Sequence, residues 1–283
     1  MRFLSFETDG RQSFGAIVDG GVVDLGRRPA AGAKSLRGAI AMGALAKLAA
    51  LADSSRPDLA ESDVTFLPVI PDPAKVLCIG LNYETHRLET GRQVVGRPTV
   101  FTRFADTQIG HRGQIVMPKV SRSLDYEGEL AVVIGKGGRY IAEADALDHV
   151  AGYACYNDAT LRDWQNHSHQ YIPGKNFPTT GPFGPYLVTP DEVGVIGPQR
   201  IQTRLNGETL QSATLGEMIF PIPVLINYVS SFTPLGPGDV ICTGTPGGVG
   251  FKREPPLFMK PGDTVEVEID RVGLLTSFIV SES

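Results

Sequence analysis

The stretch of residues 124–135 constrains the fold of this 283-residue chain most, because two glutamates at alternate positions, Glu127 and Glu129, precede the apolar run Leu-Ala-Val-Val-Ile. Side chains two residues apart in a strand point to the same face, so both carboxylates are predicted to project together. The next residues on that face are Ala131 and Val133, whereas a solvated face would continue polar. The pattern predicts a buried strand with two acidic side chains at its head.

Two carboxylates held close together repel each other and raise one pKa unless a cation lies between them. Glu127 and Glu129 therefore predict half of a divalent metal site. Asp158 follows a second predicted strand, 150–156, and is the candidate third ligand. Three carboxylates without Cys or His suit a hard ion, Mg²⁺ or Mn²⁺, with Ca²⁺ less favoured. A solvated E-x-E strand face is the alternative, and the apolar neighbours argue against it.

Composition narrows the class of protein. The 33 glycines and 21 prolines exceed average usage and indicate many turns, hence a β-rich fold. A net charge of −5 provides no basic surface for nucleic acid or an anionic membrane. No apolar run approaches a membrane helix of roughly 18 residues, and the N-terminus lacks signal-peptide features. Cys78, Cys155 and Cys242 lie in apolar runs and are predicted to be buried free thiols. We expect a cytoplasmic protein.

The chain is predicted to divide at about residue 70. Residues 1–70 are predicted to form a small unit of short strands and a helical segment, 35–51, with Ser35 as its N-cap. A proline-rich linker then leads to residues 71–283. That second part shows many short strand patterns and no regular βα alternation. The predicted fold class is α+β and mostly β.

Several local patterns in the second part are specific. Asn206-Gly207 predicts a two-residue hairpin turn. Two Pro-Gly-Asp turns are each predicted to lead into a strand. Residues 223–232 predict a helix, and the clean alternation of residues 264–269 predicts a half-buried strand.

A second group of polar residues lies at 82–89. His86 and Glu89 are three residues apart, which places them on one face if this segment is helical. A carboxylate orients an imidazole and raises its basicity, so such a pair can deprotonate a water molecule. A surface ion pair is the alternative.

Cations and amides follow the third candidate ligand. If a helical turn begins at Asp158, Arg162 and Gln165 share its face, and Lys175 lies in a nearby Gly/Pro-rich loop. Near a metal, such groups would bind a substrate carboxylate and a developing oxyanion. The glycine-rich loop 243–250 lacks the Gly-Lys-Ser/Thr of a nucleotide-binding loop. It can instead bring backbone N–H groups and Thr245 near an anion.

Together these residues resemble the fumarylacetoacetate hydrolase superfamily and its acylpyruvate hydrolase-like members. The resemblance spans roughly residues 75–280. The motifs that carry it, in chain order, are 80–83 with His86 and Glu89, 125–129, 157–158 with Arg162 and Gln165, 174–177, and 243–250.

The resemblance implies a mixed β-sandwich roll behind a small N-terminal α+β domain, assembled as a homodimer. It implies Mg²⁺ or Mn²⁺ held by Glu127, Glu129 and Asp158, and a lid that carries His86 and Glu89. It further implies that Lys175 is catalytic. The four substrate contacts that it implies are Arg162, Gln165, Thr245 and Tyr83.

Two departures from the family concern the distal pocket. Many small-acylpyruvate members carry Lys-Pro near Arg103-Phe104 and Gly-Pro where this chain has Gly110-His111. We therefore predict that Arg103 meets a second carboxylate on a longer diacid such as fumarylpyruvate or maleylpyruvate.

The substrate implied by the resemblance is a 2-oxo or 2,4-dioxo acid. In the hydrolase version, His86 with Glu89 deprotonates water, which attacks the distal carbonyl, and C–C cleavage expels pyruvate enolate. Two alternatives use the same site without water attack: a β-keto acid decarboxylase, for example of oxaloacetate, and an isomerase. A non-catalytic carboxylate-binding protein is less favoured, because neither a candidate ligand nor Lys175 is missing.

Overall fold

The computed structural model describes residues 1–93 and 96–283. Its nineteen strands are β1 Arg2–Thr8, β2 Arg11–Val18, β3 Gly21–Asp24, β4 Leu59–Ala60, β5 Thr65–Phe66, β6 Val76–Gly80, β7 Thr99–Arg103, β8 Gln108–Ile109, β9 Gln114–Met117, β10 Leu124–Asp125, β11 Gly128–Ile134, β12 Val150–Asn157, β13 Thr160–Leu161, β14 Gly181–Val188, β15 Arg200–Leu205, β16 Glu208–Thr214, β17 Val240–Cys242, β18 Thr264–Ile269 and β19 Gly273–Ser281. Its seven α-helices are α1 Leu36–Ala41, α2 Leu45–Asp53, α3 Glu84–Thr90, α4 Arg162–Gln165, α5 Ile172–Lys175, α6 Pro190–Val193 and α7 Ile222–Phe232.

A twelve-stranded mixed sheet forms the centre, and its main path runs β4-β3-β2-β1-β14-β12-β11-β17-β6-β7. Strand β11 lies between β12 and β17, and all seven of its residues are buried. This position explains its apolar sequence, because a strand covered on both faces has no solvent-facing residue. The predicted buried strand is confirmed.

A five-stranded sheet, β16-β15-β18-β19-β9, packs against the central one. Alternate side chains of β18 point inward, and two of them, Val267 and Ile269, join the core around Leu130 and Val132 of β11. The two sheets approach closely at Gly128, where an added Cβ would lie 2.1 Å from the Thr203 hydroxyl oxygen. Glycine is therefore required between the two glutamates. The mixed sheets confirm the predicted α+β, mostly β class.

The first strands of the chain extend the central sheet. β1 pairs antiparallel with β14, and β2, β3 and β4 continue outward. Ser35 caps α1, accepting a hydrogen bond from the Gly38 N–H at 3.1 Å, as predicted. The expected single helix 35–51 is instead two helices, because the chain turns at Gly43, whose φ of +64° is left-handed. The domain boundary near residue 70 stays a prediction.

The turn predictions hold. Asn206 and Gly207 both have positive φ and join β15 to β16, and the two Pro-Gly-Asp turns lead into β17 and β18. The three cysteines are buried and free. Across the described parts of the chain, none of the helices has the length and apolar character needed to cross a bilayer.

Candidate metal centre and active site

Two neighbouring strands bring the three predicted carboxylates together. Glu127 lies just before β11, Glu129 within it, and Asp158 just after its antiparallel partner β12. The Asp158 N–H donates to the Glu127 carbonyl at 2.9 Å, and the Asn157 side chain accepts from the Glu127 N–H at 3.0 Å. One oxygen of each carboxylate lies within 4.8 Å of those of the other two. We call these three side chains the carboxylate floor.

The floor has the chemistry of a hard-cation site. All three carboxylates are buried. Burial raises the pKa of Glu129 well above its ordinary value, and the nearby Asp158 and Glu127 raise it further. Burial acts in the same direction on Glu127, but Arg162 and Lys175 lower its pKa to about 2. Crowded carboxylate oxygens are the ligands that Mg²⁺ and Mn²⁺ prefer, so the residues present fit the predicted ion.

Lys175 reaches the floor from the end of α5. Its ammonium donates to Glu127 Oε2 at 2.7 Å and to Asp158 Oδ2 at 2.6 Å, and the residue is only 1% exposed. Burial alone would lower its pKa, but Asp158 and Glu127 raise it above the ordinary value. Lys175 is therefore a charged group held directly against two of the candidate ligands.

Arg103 is buried and is not among the residues that line the cavity, so its position gives no support to its predicted contact with a distal substrate carboxylate. Its side chain is fully buried behind Asp158, where Nη1 donates to Asp158 Oδ1 at 2.6 Å. Nη2 donates to the Thr180 hydroxyl at 2.6 Å. The guanidinium thus orients one carboxylate of the floor from the side away from the cavity.

Arg162 connects the floor to the glycine-rich loop. Its Nε donates to Asp125 Oδ2 at 2.8 Å, and its Nη2 forms an ion pair with Glu127 Oε1 at 2.6 Å. Nη1 donates to the Gln165 side-chain oxygen at 3.0 Å, which leaves the amide NH₂ of Gln165 for a ligand. The predicted helical turn from Asp158 is wrong, because β13 intervenes and α4 begins at Arg162.

The sequence analysis assigned no role to two supporting residues, although one of them, Asp125, begins the motif 125–129. Asp125 accepts hydrogen bonds from the backbone N–H groups of Gly250 and Phe251, at 2.8 and 3.0 Å. Gln211 accepts from the Gly128 N–H at 3.0 Å and donates to the Thr245 hydroxyl at 2.8 Å. The position of Asp125, two residues before Glu127, was a usable signal. Nothing local distinguished Gln211.

The pair on α3 has the predicted geometry. His86 Nδ1 lies 2.6 Å from Glu89 Oε1, so the carboxylate accepts the Nδ1 proton and Nε2 is left as the basic nitrogen. Glu89 Oε2 accepts from the Gly248 N–H at 2.8 Å, and the Thr85 hydroxyl accepts from the Gly247 N–H at 3.0 Å. These two contacts hold α3 against the loop 243–250.

Residues of the carboxylate floor and of the pair on α3 line one cavity of about 260 Å³. Glu127 and Glu129 line it, as do His86, Lys175, Arg162, Gln165 and Thr245. Tyr83, a predicted substrate contact, does not. It is fully buried in the main apolar core, and within the described part of the chain its buried hydroxyl has no hydrogen-bond partner. This position gives no support to the predicted contact of Tyr83 with substrate.

Sequence comparison with known proteins identifies a family and several relatives of this chain. The family model for the fumarylacetoacetate (FAA) hydrolase C-terminal domain matches residues 75–280. The chain is 44% identical over 226 residues to the mitochondrial oxaloacetate tautomerase FAHD2A of Bos taurus, covering 79% of this chain and 72% of the relative. It is 44% identical over 223 residues to the oxaloacetate tautomerase YisK of Bacillus subtilis, covering 77% and 74%.

Among solved structures, the fumarylacetoacetate hydrolase of Exiguobacterium antarcticum superposes with a TM-score of 0.85 at 32% identity, over 100% of both chains. This agreement over the full length confirms the fold implied by the resemblance. The matched region contains the carboxylate floor, the His86–Glu89 pair and Lys175. The chain belongs to the fumarylacetoacetate hydrolase family.

Proposed function

We propose that this protein catalyses the keto–enol tautomerisation of oxaloacetate. The observation that carries the proposal is a cavity lined by Glu127 and Glu129 of the carboxylate floor and by an imidazole whose other nitrogen is held by a glutamate. The two relatives at 44% identity are named oxaloacetate tautomerases. They favour the isomerase alternative over the acylpyruvate hydrolase that the sequence suggested first.

Glu127, Glu129 and Asp158 would hold the divalent ion, Mg²⁺ or Mn²⁺. When bound, the ion supplies a positive charge that polarises the 2-oxo group and favours the enolate form of the substrate. Arg103 and Lys175 keep Asp158 oriented, and Arg162 does the same for Glu127. The floor is therefore arranged before substrate arrives.

The chain's own groups bind the substrate and move the proton. The Gln165 NH₂ and the Thr245 hydroxyl hydrogen face the cavity without a described acceptor and can donate to the substrate carboxylate. His86 Nε2 takes a proton from C3, and the C–H electron pair becomes the C2=C3 double bond. The same proton is then delivered to the 2-oxo oxygen, which completes the enol. Glu89 stabilises the imidazolium between the two transfers.

A second candidate is hydrolysis of a C–C bond in an acylpyruvate. It is favoured by the same His86–Glu89 pair, which can equally take a proton from water, and by the structural similarity to a protein named fumarylacetoacetate hydrolase. Decarboxylation of oxaloacetate is a third outcome of the same chemistry, because it too passes through the enolate of a 2-oxo acid.

One experiment separates these reactions. The enol form of oxaloacetate is diluted into buffer with enzyme and Mg²⁺ or Mn²⁺, and the decay of enol absorbance is followed while CO₂ is measured in parallel. The same enzyme is assayed for pyruvate release from a panel of acylpyruvates. The proposal requires ketonisation well above the uncatalysed rate without matching CO₂ release. Interconversion at the uncatalysed rate with both ions would refute it.

The homodimer and the cytoplasmic location stay predictions. Light scattering of the purified protein tests the first, and fractionation of cells that express the protein tests the second.

A further inference from the structure

Two cations at the cavity differ from all others there. Arg92 and Lys252 line the cavity, yet across residues 1–93 and 96–283 neither side chain forms an ion pair with a carboxylate. The other lining cations, Arg162 and Lys175, are already paired with the floor or with Asp125. Of the described cavity-lining cations, only Arg92 and Lys252 therefore have no carboxylate partner and are available to a ligand carboxylate.

The backbone of Arg92 is anchored although its side chain is not. Its N–H donates to the Arg87 carbonyl at 3.2 Å, and its carbonyl accepts from Arg87 Nη1 at 2.6 Å. Arg87 itself is paired with Glu84. Arg92 is thus fixed just beyond the end of α3, on the same side of the cavity as His86.

Lys252 is placed by the turn that follows the glycine-rich loop. It ends the short 3-10 turn Gly250–Lys252, whose first two N–H groups are held by Asp125. Its ammonium lies 5.2 Å from the centre of the Phe251 ring, and the Arg162 guanidinium lies 4.3 Å from the same centre. Lys252 is therefore separated by one aromatic ring from a cation that contacts the floor.

We propose that Arg92 and Lys252 bind the second carboxylate of a dicarboxylic 2-oxo acid and so select diacids over monoacids. The inference rests on the proposed function, which places the 2-oxo acid group at the floor. The far carboxylate then lies in a cavity where, among the described lining cations, Arg92 and Lys252 lack a carboxylate partner. Apolar residues, including Ile79, Leu81 and Phe101, also line this cavity.

The test compares two ligands and two double variants. R92Q/K252Q removes both charges at similar side-chain length, and K47Q/K136Q removes two charges from exposed positions outside the cavity. Binding is measured by calorimetry in Mn²⁺-loaded protein. The ligands are oxalate, which mimics the chelating 2-oxo acid end and has no distal carboxylate, and 3,3-difluoro-oxaloacetate, which cannot enolise.

We expect R92Q/K252Q to weaken the difluoro diacid by about 10- to 100-fold, the range for charge-assisted hydrogen bonds, while oxalate changes less than about twofold. K47Q/K136Q should leave both affinities unchanged. Equal weakening of both ligands, or no change in either, would overturn the inference. Because binding is measured without turnover, this result is independent of the tautomerase assay, whose failure would refute only the proposed function.

Discussion

The two sides of the cavity are held in contrasting ways. On one side, the carboxylate floor is buried and held by cations. One of its members, Asp158, forms ion pairs with both Arg103 and Lys175. On the other, α3 is attached to the loop 243–250 through two hydrogen bonds, from the N–H groups of Gly247 and Gly248, and it exposes Leu88 by 62%. The floor keeps its charges in a fixed place through buried ion pairs, whereas we predict that α3 moves at smaller cost.

This contrast indicates that the carboxylate floor and α3 have different roles. The carboxylate floor must bind a cation and hold like charges together, so its side chains need many fixed partners. A helix that admits substrate and then places a base beside it needs few fixed partners. The predictions below test this division, starting from the side where a substitution should cost most.

Glu127→Gln should abolish activity, because it removes one candidate ligand and one partner of both Arg162 and Lys175. We expect no measurable turnover and no Mn²⁺ binding by calorimetry. Glu208→Gln, at an exposed site on β16, is the matched control and should behave like the wild type. Normal Mn²⁺ affinity in Glu127→Gln would show that the floor is not the metal site.

His86→Ala should lower kcat by about 10²- to 10⁴-fold, the usual contribution of a general base. Mn²⁺ affinity should not change, because His86 makes no contact with the floor carboxylates by hydrogen bond. Glu89→Gln should produce a smaller loss in the same direction. Near-normal turnover in His86→Ala would remove the pair from the mechanism.

Arg103→Met should act on stability. It leaves Asp158 Oδ1 buried without its cation, which costs about 3–5 kcal/mol when one partner of a buried pair is lost. Urea unfolding measures this loss. The ratio of diacid to monoacid affinity should stay constant, and a selective loss of diacid affinity would support the predicted contact between Arg103 and substrate.

Thr85→Val should have the smallest effect. It removes the hydrogen bond from the Gly247 N–H, which contributes about 0.5–1.5 kcal/mol. Hydrogen exchange should become faster for amides of α3 and remain unchanged for β11. Thr209→Val, an exposed threonine on β16, serves as the control. Faster exchange in β11 as well would mean that the two sides open together.

Local patterns predicted much of the molecule because the physics behind them is local. The apolar run after Glu129, the hairpin at Asn206-Gly207 and the cap at Ser35 depend on side-chain alternation, positive φ and a nearby hydroxyl. The carboxylate floor was predictable for the same reason, since two of its members are two residues apart and the third follows the neighbouring strand.

The site predictions that gained no support, and the residue that the sequence analysis missed, concern side chains whose direction depends on distant parts of the chain. Arg103 was assigned to substrate from a departure in the family pattern, yet Thr180 and Asp158 hold it behind the floor. Tyr83 follows a family motif but joins the core. Gln211, on another sheet, supports Thr245 and the start of β11. The partners that hold Arg103 and Gln211 lie 34 to 83 residues away along the chain.

The amino-acid sequence by itself determined the turn-rich β character, the acidic pair at the head of a buried strand and the spacing of His86 and Glu89. Each follows from the chemistry of neighbouring residues. Only the tertiary structure decided which cations are committed to carboxylates and which, Arg92 and Lys252, still face the cavity without one. The reason is physical: an ion pair is set by distance in space, and the fold alone brings Arg162, Lys175 and Arg103 to the floor.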